Sequence, residues 1–386
     1  MAEPVICAVA RTPVGKFRGA LAGYSAVELG VLAVNELLSR ADIDPASGLI
    51  DEVLFGQVLQ AGAGQAPARQ VTLGAGLPFS TPCTTINKVC GSSLKAAMIA
   101  ASAIRAGEHE VVIAGGMESM TNAPHIVSNP NRGEDVPYSD LISSMVHDGL
   151  WDAYNDEHMG CTGETVATEF GISRADSDAF AARSHRLSNH AWEAGWIDWE
   201  AFTLPELARD EGIDAAVTEE TLASLQPVFA TDGQVTAGNA SQLSDGAAAV
   251  LVASAEAAER NGWPVLARII DQNTDGVEPE RVMAAPMPTV NDMLQRNGLS
   301  IDDIDIVEHN EAFASASCAV EQELGILDEK FNPHGGAVAI GHPLGATGAR
   351  VLMTLINALR RGGGRRGVVT ICLGGGNAVA MLIECD

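Results

Sequence analysis

Four residues in this sequence could do covalent or acid–base chemistry, and each stands at the edge of a predicted element. Cys90 follows a short strand over 84–88 and immediately precedes Gly91-Ser92-Ser93, where a helix begins. A thiol there meets unpaired backbone N–H groups and the positive end of the helix dipole, which favour thiolate and lower the pKa. Cys90 is therefore a candidate nucleophile, although a small buried hydrophobe is an equally good reading of one free cysteine. His342, in Gly341-His342-Pro343-Leu344-Gly345, could take the thiol proton if the fold brings the two together; alone, it reads as a turn histidine. Cys372 ends a strand over 368–371 ahead of Gly374-Gly375-Gly376, where bare backbone can approach a ligand and offer N–H donors. A second thiol could shuttle a proton there, or simply close the core at a strand end. Asn310, in Asn310-Glu311-Ala312-Phe313, could serve an oxyanion or hold a water, or could cap a helix.

The elements that must position these residues occur twice. An alanine-rich helix from Gly91 to Gly107 leads into the strand 111–114 and Gly115-Gly116; a second helix from Gly345 to Gly362 leads into the strand 368–373 and Gly374-Gly375-Gly376, roughly 255 residues later. Short strands over 52–56 and 304–308 repeat at nearly the same offset. The duplication sets His342 ahead of the second helix much as Cys90 stands ahead of the first. Strands separated by crossover helices imply right-handed βαβ units and mainly parallel sheets, hence an α/β protein of two similar halves. An insertion over 120–242 holds most of the tryptophan and histidine. Within it Ser173-Arg-Ala-Asp176 opens a helix with Phe180, Leu187 and Ala191 on one face.

The 386 residues and their 46% hydrophobic content suffice for two or three packed domains. No apolar run reaches the roughly 18 residues of a membrane helix, and Met1-Ala2-Glu3-Pro4 has no basic leader, so a soluble, unsecreted protein with no membrane partner is expected. Seven cysteines, none in a C-x-x-C pair, fit a reducing cytoplasm and neither a zinc site nor a disulfide framework, so no metal is expected. Fifty acidic against 23 basic residues, a net charge of −27, exclude a nucleic-acid partner. Only four of the cations are lysines (Lys16, Lys88, Lys95, Lys330), and so acidic a surface suits a high-salt cytoplasm, where screening relieves self-repulsion.

Taken together, Asn87-Lys-Val-Cys90-Gly-Ser-Ser, Gly115-Gly-Met-Glu-Ser-Met120, Thr236-Ala-Gly-Asn-Ala-Ser241, Asn310-Glu-Ala-Phe313, Gly341-His-Pro-Leu-Gly345 and Cys372-Leu-Gly-Gly-Gly376 resemble the thiolase family, in particular its acetyl-CoA acetyltransferases. The likeness runs from Ala10-Arg-Thr-Pro13 to the C-terminus. It implies a five-layered α/β/α/β/α fold: an N-terminal half over 1–119 plus 243–264, a loop domain over 120–242 for CoA binding and tetramerisation, and a C-terminal half over 265–386. It also implies a homotetramer, a dimer of dimers. The implied reaction is a reversible Claisen condensation of two acetyl-CoA to acetoacetyl-CoA and CoA through an acyl-cysteine, with acyl-CoA as substrate and no tightly bound cofactor. A 3-ketoacyl-CoA thiolase of broader chain length, acting in β-oxidation, is the neighbouring alternative. A ketoacyl synthase would carry a second histidine where Asn310 stands.

By resemblance, Cys90 takes the acyl group, His342 activates it, and Cys372 moves the α-proton. Asn310, through a water, and His342 Nε2 stabilise the enolate; the main-chain N–H groups of Cys90 and Gly374 stabilise the tetrahedral oxyanion. Leu150, His158, Met159, Phe229, Ala237, Ser241 and Leu243 match positions that touch CoA. Ala312 and Phe313 line the pantetheine end, while Met159 and Met283 narrow the acyl pocket to short chains. The sequence departs from the family pattern at Asp210-Glu-Gly-Ile-Asp214-Ala-Ala216, which lacks a basic residue for the CoA phosphates. It departs again at His309, at His334 before Gly335-Gly336, and at the alanines after Met283.

Overall fold

Strands rich in alanine, valine and glycine, buried along their whole length, force layers on both faces of the sheet. In chain order, β1 (Pro4–Arg11), α1 (Ala26–Arg40), β2 (Glu52–Gly56), α2 (Pro67–Gly74), β3 (Cys83–Ile86), α3 (Ser92–Ala106) and β4 (Val111–Ser119) come first. A long excursion carries α4 (Met159–Phe170) and α5 (Arg174–Glu193), and the chain returns as β5 (Ser244–Ser254). The second half follows as β6 (Ala267–Gly276), α6 (Pro286–Arg296), β7 (Ile306–His309), α7 (Ala314–Leu324), α8 (Thr347–Gly362), β8 (Arg366–Leu373) and β9 (Asn377–Glu384). The computed structural model describes residues 2–128, 133 and 135–385. Residues 129–132 and 134 of the expected loop domain, and residues 1 and 386 at the ends of the expected halves, lie outside the described residues.

The strand orders are β3-β2-β4-β5-β1 in the first half and β7-β8-β9-β6 in the second, joined where Val5 and Ile6 of β1 meet Arg268 and Ala267 of β6. A parallel bridge from Val307 to Phe331 flanks β7 as β3 flanks β2, so the duplication extends to sheet order. Its strand directions correct the expectation of mainly parallel sheets. Only β2 with β3, β2 with β4, and β7 with β8 are parallel; β1, β5, β6 and β9 all pair antiparallel. A crossover helix makes a parallel neighbour, but β5 returns from the excursion without one and β9 follows β8 through a tight turn, which permits only antiparallel pairing. In that turn a Cβ on Gly376 (φ +76°) would stand 2.2 Å from the Val277 carbonyl oxygen, so glycine is required.

Three separate apolar cores define five layers. One lies between α1 with α2 and the first sheet, one between α6 with α7 and the second, and the third surrounds α3 and α8 sandwiched between the sheets. α8 is buried from Thr347 to Leu359, as a central helix must be. Both central helices end in left-handed glycines, Gly107 and Gly363, the second one residue beyond the expected end. They cross near their starts: a Cβ on Gly348 would lie 2.3 Å from the Leu94 backbone nitrogen, and Ala349 N–H donates to Ser93 Oγ at 2.9 Å. The crossing brings the segments that precede the two helices face to face. In the excursion, α5 opens with the expected capping box of Ser173 and Asp176 and buries Phe180 and Ala191, with Leu187 half-buried.

Candidate active site

The residues preceding α3 and α8 meet at one small cleft, lined by Cys90, His342, Cys372 and Gly374 with Leu150, Met159, Ser241, Met283, Ala312 and Phe313. Ten of the residues singled out in the sequence therefore share one wall. Val89, Gly149, Val282, Leu344 and Leu373 complete the lining and were missed. Val89, Leu344 and Leu373 stand inside the quoted motifs, but as apolar neighbours of the polar residues they carried no chemical signal of their own.

Cys90 sits after a strained turn. Val89 adopts φ +46°, an uncommon conformation for a β-branched residue, and places the thiol one residue ahead of Gly91, the N-cap of α3. The expectation of a lowered thiol pKa is overturned: burial pushes the Cys90 thiol well up, and Cys372 and Glu118 add to it. Removal from water outweighs the helix dipole here. Burial likewise pushes Cys372 up to about 12. Its Sγ lies 3.6 Å from Met283 Sδ, so Met283 packs directly on the second thiol. Gly374 shares the cleft lining and lies against the strained turn; a Cβ there would sit 3.6 Å from the Val89 side chain.

His342 is held in one tautomer. Its Nδ1 lies 2.7 Å from Thr347 Oγ1, whose own proton goes to the Pro343 carbonyl at 2.9 Å. Thr347 is therefore an acceptor towards the ring, Nδ1 carries the hydrogen, and Nε2 keeps its lone pair. Asn310 Nδ2, 3.4 Å from Nε2, faces that lone pair. Burial lowers His342 to about 3, with the charge of Arg350 adding to it, so the ring is neutral at physiological pH. Asn310 borders the cleft through His342, and its fully buried Oδ1 accepts from no protein group. A buried amide oxygen without a protein donor fits a site that holds a water.

Glu118, fully buried on β4, accepts N–H bonds from Val58, Leu59 and Gly345 at 2.9–3.1 Å, and burial raises it to about 7. It fastens the His342 loop against β4 where a Cβ on Gly116 would stand 1.9 Å from the Gly345 carbonyl oxygen. Neither Glu118 nor Thr347 was picked from the sequence. The one available signal was the hydroxyl five residues after His342 at a helix start.

The excursion supplies the mouth. Ser241 N–H donates to the Ala312 carbonyl at 3.0 Å, and Ala240 bridges Phe313, which ties the Thr236–Ser241 motif to the Asn310–Phe313 segment. His158 stacks on Phe229 at 4.8 Å, and Phe229 meets Phe313 edge-on at 6.5 Å. His158 Nδ1 accepts from Gly160 N–H, which leaves its Nε2–H as a donor. His158, Phe229, Ala237 and Leu243 are not in the cleft lining itself. Leu243, like Leu150 and Cys90, packs against the buried cluster of Val58, Leu59, Met120 and Leu344, while Ala237 is exposed on the Thr236–Asn239 turn.

The departures resolve individually. Asp210 is buried and takes Arg11 in a two-pronged ion pair at 2.8 and 3.0 Å, plus Trp192 Nε1–H and Val14 N–H. Glu211 accepts from the Lys16 and Ala20 amides. The acids of that stretch therefore hold residues 11–20 in place. His309 stacks on Phe331 and shares a hydrogen with Ser317 Oγ, and burial lowers it to about 3. His334 packs on Trp196, and burial lowers it to about 4. Both stand behind the site.

Comparison with known proteins agrees with this geometry. Residues 4–256 match the family Thiolase, N-terminal domain, and residues 263–385 match Thiolase, C-terminal domain. The chain is 45% identical over 395 residues to the acetyl-CoA acetyltransferase of Pseudomonas aeruginosa, covering 100% of both chains. It is 44% identical over 393 residues to acetyl-CoA acetyltransferase 2 of Arabidopsis thaliana, covering 98% of this chain and 96% of that one. The crystal structure of human mitochondrial 3-ketoacyl-CoA thiolase in complex with CoA superposes with a TM-score of 0.95 at 37% identity, covering 100% of this chain and 98% of that one. Likeness over the whole length of both halves, together with paired thiols and a neutral histidine in one cleft, establishes that the chain belongs to the thiolase family.

Proposed function

We propose that the protein is an acetyl-CoA C-acetyltransferase that condenses two acetyl-CoA to acetoacetyl-CoA and CoA, reversibly, through an acetyl-Cys90 intermediate. The observation that carries the reading is the convergence of Cys90, His342 and Cys372 on one small apolar cleft. His342 Nε2 accepts the Cys90 proton as Sγ attacks the acetyl carbonyl; the thioester bond to CoA breaks, CoA leaves with the proton of Cys372, and the acetyl-enzyme keeps His342 protonated beside a Cys372 thiolate. The tetrahedral oxyanion is held by the N–H groups of Cys90 and Gly374. Cys372 then takes an α-proton from a second acetyl-CoA, whose enolate oxygen is stabilised by protonated His342 Nε2 and a water on Asn310. The new C–C bond forms at the acetyl carbon of Cys90, and its sulfur departs with the proton from His342 Nε2, which restores the resting site.

Leu150, His158, Met159, Phe229, Ala237, Ser241, Leu243, Ala312 and Phe313 hold the pantetheine and adenine portions, with CoA a substrate and not a resident cofactor. Met283 against Cys372 keeps the acyl space short. The remaining parts of the reading are a loop domain over 120–242 between halves at 1–119 plus 243–264 and 265–386, a homotetramer, and a cytoplasm of high salt. Among the described residues no helix is long and apolar enough to cross a membrane.

The deciding experiment is incubation with acetyl-CoA followed by peptide mass spectrometry. An acetyl group on the Cys90 peptide, absent in Cys90→Ala, is the expected result; an unmodified Cys90 with thiolysis intact defeats the reading. Comparison of acetoacetyl-CoA with 3-ketodecanoyl-CoA separates it from the broader 3-ketoacyl-CoA thiolase, which cleaves both.

A further inference from the structure

Behind His342 the interior holds a charge that the reaction steps leave unused. Arg350 lies on α8 three residues after Thr347, on the same helix face, and is 2% exposed. Among the described residues none of its three guanidinium nitrogens has a hydrogen-bond partner. Glu308 on β7, two residues before Asn310, is fully buried with both carboxylate oxygens equally unpartnered.

The other charged groups facing this pair are already engaged. Glu200 accepts from Arg11 Nε at 3.0 Å and Thr354 Oγ1 at 3.1 Å. Glu311 accepts from Ser184 Oγ at 2.6 Å, Asn332 Nδ2 at 2.9 Å and Val338 N–H at 3.1 Å. Arg11 opposes Arg350 from β1, and Arg183 faces Glu308 from α5. With no donor among the described residues, Glu308 is pushed well above the ordinary carboxylate range by burial, and it makes no hydrogen-bonded ion pair with Arg350. Arginine keeps its charge even when buried. A guanidinium without a direct counter-ion, in a water-poor interior, acts over longer distances than one quenched in an ion pair. The group that receives this field is His342, joined to the same helix through Thr347.

We propose that Arg350 is a positioning residue for the base, whose unpaired charge, one turn along α8 from Thr347, adds to burial in opposing protonation of His342 and so keeps Nε2 free to accept the Cys90 proton. This rests on the reading of His342 as the base for Cys90. It means that no thiolate–imidazolium pair is stored at rest: the proton leaves Sγ for Nε2 only as Sγ bonds to the acyl carbon. The site thereby avoids a standing thiolate that any electrophile could trap.

Alkylation of Cys90 by iodoacetamide in the full-length protein, followed by mass spectrometry between about pH 6 and 9, tests it. In the parent protein the rate rises continuously with pH, with no plateau on the acid side. Arg350→Met makes the imidazolium easier to form, so alkylation near pH 7 accelerates about tenfold for each pH unit gained in His342 basicity. Arg350→Lys keeps the charge only where its buried ammonium stays protonated, and there it reacts as the parent does. A merely loosened structure exposes Cys90 and raises the rate by the same factor across the pH range, whereas easier imidazolium formation raises it most at the acid end. The proposal is overturned if Arg350→Met alkylates no faster than the parent, or if its gain is the same factor at about pH 6 and pH 9. If Arg350→Met does not fold, an acid-side plateau in the parent profile overturns it alone. Acetyl-CoA labelling of the same samples keeps the two readings apart: an unlabelled parent Cys90 defeats the proposed function, whereas normal labelling without acceleration defeats only the role of Arg350.

Discussion

Thr347→Val removes the one hydroxyl that fixes the His342 tautomer and leaves almost everything else unchanged. Threonine and valine share shape and χ1 preference, and residue 347 is fully buried. The change strips Nδ1–H of its acceptor at 2.7 Å and the Pro343 carbonyl of its donor at 2.9 Å. An unsatisfied buried donor costs about 1–3 kcal/mol. That cost falls on the tautomer with Nδ1–H, the one in which Nε2 can act as base, whereas the alternative tautomer places its hydrogen on Nε2, where Asn310 accepts it once the amide turns its unpartnered Oδ1 to the ring. A bias of about 1.4–2.8 kcal/mol lowers the productive fraction about 10- to 100-fold.

Thr347 does not line the cleft, so the loss belongs in kcat with KM nearly unchanged. Initial rates of CoA-dependent acetoacetyl-CoA cleavage measure both, and the thermal midpoint recorded alongside separates tautomer bias from unfolding. Thr347→Ser, which keeps the hydroxyl, restores most of the rate. A Thr347→Val protein within about twofold of the parent kcat, or a Thr347→Ser protein as impaired as Thr347→Val, refutes the tautomer argument.

Met283→Ala opens space beside Cys372. It shifts the preference between substrates, raising the catalytic efficiency towards 3-ketodecanoyl-CoA relative to acetoacetyl-CoA by about tenfold, at a stability cost of about 2–5 kcal/mol for a buried methionine; an unchanged ratio removes Met283 from chain-length selection. His334→Asn changes the pH dependence of stability. The folded protein holds His334 near 4, below its ordinary 6.5, so the neutral form is favoured; stability is full above 6.5 and is lost as pH falls towards 4 while the unfolded chain takes up a proton. Denaturant unfolding therefore shows the variant gaining about 2 kcal/mol on the parent between pH 8 and 5; a pH-independent difference contradicts it. Raising KCl to molar levels lowers KM for acetyl-CoA and raises the unfolding midpoint, because screening reduces repulsion between a protein of charge −27 and a polyanionic substrate; a monotonic fall in activity with KCl negates both.

Local pattern made the duplication and the three reacting residues readable. The helix over 92–106 is alanine-rich, that over 347–362 carries a long apolar pattern, both end at glycine, and the strands after them are continuous apolar runs, so each element carries its own signal. What pattern does not encode is which distant group a buried charge meets. Arg11 closes on Glu200 and Asp210 across 189 and 199 residues, which no spacing rule anticipates, and Asp210 read as a missing cation when it is an anchor. Strand direction was misjudged for a related reason: a crossover helix announces a parallel neighbour, but the return of β5 after a long excursion has no local signature. The triple glycine after Cys372 was visible as a close approach to ligand, yet it is also the hairpin that makes β9 antiparallel.

The misjudged direction of the Cys90 shift follows from the same crossing that makes the cleft. Ser93 to Ala349 and Leu94 to Gly348 are contacts near the starts of α3 and α8, so both positive dipole ends converge where the thiol and the imidazole stand. At rest, burial outweighs the dipoles and keeps the thiol protonated. Burial does not weaken the dipoles; in a water-poor cleft their action on negative charge is stronger than in solvent. A field that leaves the resting thiol neutral still acts on the oxyanion and enolate that appear during the reaction, and it disfavours an imidazolium until such an anion is present to balance it. Two helix starts aimed at one cleft, with arginine behind the base, therefore stabilise charge when it develops and not before, which is the differential binding that lowers a barrier.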